Sequence, residues 1–278
     1  MDARIFEEPK IDCHMHVFDP GRFPYQANTH YAPTGQEIGT PTQLEQMMDA
    51  YGVRNALLVG PNSGYGLDNS CMLDTIARGQ GRYKGVAVVG NDATLDELAT
   101  LKRAGVVGVA WNVTHYGVDY YRDAQPLLDK LVALDMFVDI GAEPDQLVAM
   151  MPLLSSSGVR ILVDHCGRPI IDAGIDEPGF RALLELGATK RAFVKLSGFA
   201  KFSRQLAPYR DASPFVESLV DAFMLERCLW ASDWPYLRSP ARVDYGVLLK
   251  IVLTQFPDAS DRRKILWDTP RKLFGFAP

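Results

Sequence analysis

Short apolar runs alternate with amphipathic stretches along the whole chain. Eight runs stand out, at 11–16, 55–59, 84–89, 106–112, 136–140, 160–165, 192–197 and 228–233. Most are continuously apolar instead of alternating, the pattern of parallel strands covered on both faces. Between them the apolar residues recur at helical spacing over 42–51, 69–78, 95–104, 124–134, 145–154, 178–186, 213–223 and 245–255, and a final pair is predicted at 261–267 and 269–274. Thr40-Pro41 marks one start, a hydroxyl cap followed by a proline at the first helical position.

Eight strand–helix units predict an α/β fold, a (β/α)8 TIM barrel, with residues 1–278 as one domain, since about 250 residues suffice for such a barrel. An open doubly wound sheet is the competing architecture. It lacks support because no G-x-G-x-x-G or G-x-x-x-x-G-K-[ST] follows a strand. The segment 20–41, rich in Gly, Pro and polar residues, reads as a functional loop after the first strand, and its action as a lid is left open.

Composition narrows the function. Hydrophobic residues make up 47% and charged residues 23%, an ordinary globular balance. The net charge of -5, from 29 basic and 34 acidic residues without a Lys/Arg run, argues against nucleic-acid or anionic-membrane partners and for a small molecule. No apolar stretch reaches the length of a membrane span, and residues 1–10 lack an export signal, so a cytoplasmic location is expected. Cys13, Cys71, Cys166 and Cys228 are widely spaced and form no C-x-x-C; they read as buried free thiols.

The candidate chemistry sits at strand ends. His14 and His16, two of five histidines, share one face of the first strand by their i, i+2 spacing and project into the barrel mouth. Two such imidazoles can bind one divalent metal or polarise a carbonyl by hydrogen bonding. His165 ends the sixth strand ahead of Gly167-Arg168-Pro169, and Asp233 ends the eighth, which barrel closure sets beside the first. A carboxylate there can ligate a metal and activate water, or act as general base without metal.

His-x-His on the first strand, Asp164-His165-Cys166-Gly167-Arg168-Pro169, Ser232-Asp233-Trp234-Pro235, Gly66-Leu67-Asp68-Asn69 and the terminal Asp268-Thr269-Pro270-Arg271-Lys272-Leu273-Phe274-Gly275-Phe276 resemble the amidohydrolase-related barrels over nearly the whole chain. The resemblance is closest to the lactonases acting on 2-pyrone-4,6-dicarboxylate and on sugar lactones. It implies hydrolysis of a cyclic ester of a sugar acid or aromatic-catabolic intermediate, with His14, His16 and His165 around the carbonyl and Asp233 activating water. A metal-dependent decarboxylase or a lactone isomerase on the same barrel is the alternative, and a non-catalytic binding module is the third class.

The family's binuclear members carry a bridging Lys or Glu on a middle strand. The strand ending at Ile140 is followed only by Gly141, Ala142 and Glu143, and His30 and His115 fall in loops, so at most one ion is implied. That ion is zinc on His14, His16 and Asp233, with His165 as a further ligand; a metal-free site stays open. Ala110 stands where the dicarboxylate lactonases have an arginine. The resemblance therefore implies a less charged or differently shaped lactone held by Arg168, Asn112, His115, Tyr116, Asn69 and Lys201. Asn62 and Tyr65 are further lining candidates. Lys195 and Arg204 are cation candidates whose default is a solvated surface position. Trp111, Trp230 and Trp234 offer either an aromatic wall or core packing. Oligomeric state and stereochemistry are not legible.

Overall fold

A computed structural model describes residues 4–277; the first three residues and the last, which the sequence reading included in its domain, lie outside the described residues. The strands are β1 (Lys10–Met15), β2 (Val53–Val59), β3 (Tyr83–Ala87), β4 (Val106–Asn112), β5 (Phe137–Gly141), β6 (Arg160–Val163), β7 (Ala192–Leu196) and β8 (Cys228–Trp230). They form one parallel sheet in the order of the chain. Closure is made by backbone bonds between the β1 and β8 ends: Asp233 N donates to His14 O at 3.0 Å and His16 N to Trp234 O at 2.9 Å. This is the expected barrel, and it carries an active-site face at the C-terminal ends of its strands.

The barrel helices are α1 (Pro41–Ala50), α2 (Ser70–Arg78), α3 (Leu95–Arg103), α4 (Gln125–Ala133), α5 (Pro144–Ser156), α6 (Pro178–Ala188), α7 (Ser213–Phe223) and α8 (Tyr245–Gln255). Thr40 caps α1 as a capping box with Gln43, and Thr94 caps α3 with Glu97, satisfying backbone donors that helix starts leave free. The predicted 261–267 helix is shorter, Ala259–Arg263, and continues as a π-helical turn over Lys264–Asp268 before the helix Thr269–Phe274. Among the described residues no helix is long and apolar enough to cross a membrane.

Several predicted strands end earlier than expected. β6 stops at Val163 and β8 at Trp230. The residues that follow turn away from the sheet: His165, Cys166 and Arg168 have φ of 51°, 55° and 50°, and Asp233 has 65°. Non-glycine residues in the left-handed region carry strain that the surrounding structure must hold, and such positions concentrate at functional sites. Gly198, after β7, makes room for this turn; a Cβ there would stand 2.6 Å from His165 Cβ.

Loop 20–41 folds back over the mouth. Tyr31 O and Thr29 Oγ1 both accept from Gly64 N, at 2.7 and 2.8 Å, which ties it to the loop after β2. Its Gly39 lies under the Trp234 ring, where a Cβ would come within 2.4 Å of Trp234.

Candidate active site

A cavity of about 590 Å³ opens at the C-terminal face of the barrel, lined among others by His14, His16, His165, Asp139, Asp164, Asn112, Arg168 and Lys201. Three of the imidazoles that line it surround one carboxylate oxygen of Asp233, which itself lines a small neighbouring pocket together with Lys201. Asp233 Oδ1 lies 3.8 Å from His14 Nε2, 3.8 Å from His16 Nε2 and 3.6 Å from His165 Nε2. It is buried and has no hydrogen-bond partner. Its sister Oδ2 pairs with Lys201 Nζ at 2.9 Å. Burial opposes the charge of Asp233, but the Lys201 ammonium beside it holds its carboxyl well below the usual range.

The histidines are fixed from behind. His16 Nδ1 is 2.8 Å from Val59 O. A carbonyl only accepts, so this nitrogen bears the hydrogen and Nε2 presents a lone pair. Burial, then the neighbouring His14, pushes the His16 pKa down to about 3, so the ring is neutral. It cannot hydrogen-bond a substrate carbonyl in that state; it can bind a cation. His165 Nδ1 contacts Ser197 Oγ at 3.0 Å, and burial keeps this ring neutral too.

Behind His14 lies a network that sequence reading missed. Lys195 Nζ is 2.6 Å from Asp139 Oδ2 and 2.8 Å from Asp164 Oδ1. Lys195 is fully buried, which corrects the surface position expected for it. Burial, then the adjacent Asp164, drives the Asp139 pKa well above the carboxylate range. Burial opposes ionisation of Asp164 as well, but His14 and Lys195 keep it ionised. Asp139 and Lys195 point inward from β5 and β7, a fact visible only once each strand's facing is known; their signal was a charge inside an apolar run.

The expected substrate residues divide. Arg168, Asn112, His115 and Lys201 line the cavity, whereas Asn69 and Tyr116 are not among its lining residues. Asn69 instead bridges Val88 N and O at 2.9 and 2.8 Å, joining the ends of β2 and β3. Tyr116 stacks on Tyr120, and its hydroxyl accepts from Asn62, itself a lining residue. Arg168 pairs with Glu143 at 3.0 Å; Arg204, on the surface, pairs with Asp172. His30 stacks on His115 with centroids 3.7 Å apart and lines the mouth, as does Arg238, which the sequence did not single out. Ala110 is at the wall as anticipated. Trp230 and Tyr65 are core residues, whereas Trp111, also buried and stacked on Tyr121, lines the cavity wall. All four cysteines are buried and free, with the Cys166 thiol pushed up to about 12 by burial.

The donor set fits a metal. Tetrahedral zinc with bonds of about 2.0–2.1 Å needs ligand atoms about 3.3 Å apart. His14 Nε2 and His16 Nε2 are 3.2 Å apart, and the unpartnered Asp233 Oδ1 completes the group. His14, Asp164 and His165 also cluster closely enough to hold an ion, but Asp164 is engaged by Lys195.

One stability prediction follows. His16 and His165 are neutral when folded but ionise near pH 6.5 when unfolded. The unfolded chain therefore binds more protons below that value, and stability falls with pH. Below about pH 4 the depressed Asp233 and Asp164 add to the loss. For chelator-treated protein, the melting temperature should fall steadily from pH 7.5 to 4.5. His16→Gln should flatten the upper part of that curve, and an equally steep curve in the variant would contradict it.

A (β/α)8 barrel with histidines on β1, one after β6 and an aspartate after β8 defines the amidohydrolase class. The family's sequence profile matches residues 11–276, and the chain belongs to the amidohydrolase family. It is 31% identical, over 95% of its length and 88% of the other, to a 4-sulfomuconolactone hydrolase from Hydrogenophaga intermedia. A crystal structure described as a probable 2-pyrone-4,6-dicarboxylic acid hydrolase from Acinetobacter baumannii, with citric acid bound, superposes with a TM-score of 0.88 at 29% identity, covering 96% of this chain and 99% of that one. An amidohydrolase from Burkholderia multivorans with bound zinc, 19% identical, shares the fold with a TM-score of 0.76 over 96% of this chain and 99% of its own.

Proposed function

We propose that the protein is a lactone hydrolase acting on a lactone with an acidic substituent, and that Asp233 activates the water. The carrying observation is the buried, unpartnered Asp233 Oδ1 set against three imidazole nitrogens whose rings line an open cavity. The relatives named above for sulfomuconolactone and pyrone dicarboxylate support a lactone substrate.

Zinc held by His14, His16 and Asp233, with His165 beside them, would polarise the carbonyl and make water a better nucleophile. The chain's own residues do the rest. His16, neutral and locked by Val59, offers its lone pair at a fixed position. Lys201 keeps the Asp233 carboxylate ionised. The water oxygen bonds to the lactone carbonyl carbon as one of its protons passes to Asp233. The ring C–O bond then breaks, and that proton goes to the departing alkoxide, giving the open hydroxy acid.

Recognition rests on the rim. Arg168 is paired with Glu143 and Lys201 with Asp233, while the Arg238 guanidinium faces the Tyr31 ring at 5.3 Å and pairs with no carboxylate among the described residues. We assign it to the substrate's acidic group. A charge-assisted bond is worth about 1.5–3 kcal/mol. Arg238→Gln is therefore expected to raise KM for an acidic lactone about 10- to 100-fold, with kcat little changed. Steady-state kinetics against the acid and its methyl ester check this; an equal loss on both would remove Arg238 from recognition. The reading as a whole is tested by a panel of acidic and neutral lactones, with product identity separating hydrolysis from isomerisation and carbon dioxide release from either. Turnover of none of them would overturn it.

A further inference from the structure

His14 Nδ1 has two partners of opposite kind. The Lys195 ammonium, which can only donate, lies 3.0 Å away, and ionised Asp164, which can only accept, also lies at 3.0 Å. One ring nitrogen cannot serve both: with a hydrogen it donates to Asp164, and without one it accepts from Lys195. A neutral imidazole carries a single hydrogen, so the choice at Nδ1 also sets Nε2. That second nitrogen faces His16 Nε2 at 3.2 Å, and the Val59 carbonyl has already forced His16 Nε2 to be a lone pair. Two lone pairs at this distance repel unless a hydrogen or a cation lies between them.

We propose that Lys195 and Asp164 are positioning residues that let His14 exchange tautomers with the occupancy of the site. Without a cation His14 carries its hydrogen on Nε2, donates to His16 and accepts from Lys195. With a divalent cation the hydrogen sits on Nδ1, is taken by Asp164, and the Nε2 lone pair faces the ion. Neither state leaves a buried donor or acceptor of this ring unpaired. Lys195 is kept in place by Asp139 and by complete burial, which restricts it to these partners. The inference rests on the cation fit of the proposed site and not on the substrate.

The test uses full-length protein with 15N-labelled histidine, freed of metal by chelator and then given one equivalent of Zn2+. The His14 ring signals are assigned by their loss in His14→Gln. Long-range 1H–15N spectra are expected to show Nε2–H before zinc and Nδ1–H after it. In Asp164→Asn the side-chain amide can donate to Nδ1, so Nε2–H should persist and zinc affinity should fall about 10- to 100-fold by competition with a chelating dye. Nδ1–H in the metal-free protein, an unchanged tautomer with zinc bound, or failure to take up zinc would each overturn the proposal. None of these results bears on lactone turnover by the untreated enzyme, which tests the substrate reading separately.

Discussion

Asp233→Asn is expected to lower kcat/KM on any lactone the enzyme turns over by about 10³- to 10⁴-fold, the upper range for losing a general base. The substitution preserves shape. It removes the negative charge that Lys201 Nζ approaches at 2.9 Å and that three imidazole nitrogens surround. It also replaces the unpartnered oxygen with a group that can no longer accept a proton from water. The fold should survive, because asparagine keeps the shape of the side chain and its amide oxygen can still accept from Lys201 Nζ. Initial-rate kinetics with a thermal melt on the same sample distinguish the outcomes. A variant within tenfold of wild type would exclude Asp233 as the base, whatever its melting temperature.

Lys195→Met is expected to be the most destabilising single change in the site, by about 3–5 kcal/mol, because removing one partner of a buried ionic group leaves the other uncompensated. Here the group left behind is Asp164, ionised only through its neighbours His14 and Lys195, with Asp139 beside it. In a chain of this size the loss corresponds to a fall of about 10 °C in melting temperature. Adding Asp164→Asn should recover part of it, since the two residues share one interaction and their effects are not additive. Arg204→Ala, which breaks an exposed pair with Asp172, should change stability by less than about 1 kcal/mol. Urea unfolding of the four proteins checks the order. If Lys195→Met were no worse than Arg204→Ala, the network would be a bystander to folding.

The contrast between Lys195 and Arg204 shows where sequence legibility stops. Both are cations following or within the seventh apolar run, and composition treats them alike. Their difference is a matter of facing: Lys195 lies in β7 and points at Asp139 on β5, two strands away, while Arg204 lies in the loop beyond. The same limit hid Asp139, which sits one residue before Ile140 on a strand read for its end and not for its interior. Asn69 and Tyr116 show the converse. Their residue types suit a binding wall, but Asn69 is engaged by the Val88 backbone and Tyr116 by its aromatic neighbours.

What the sequence determined by itself is local and periodic. Eight apolar runs separated by helical periods define the parallel barrel, because strands covered on both faces are predominantly apolar. The polar residues that interrupt those runs at their C-terminal ends, His14, His16, His165 and Asp233, stand out for the same reason. Only tertiary structure decided how these groups are charged and which hydrogens they carry. Burial makes His16 neutral, the Val59 carbonyl chooses its tautomer, and Lys201 holds Asp233 ionised. These outcomes depend on distances of a few ångströms between residues far apart in the chain, in a medium where desolvation and neighbouring charges outweigh intrinsic pKa values.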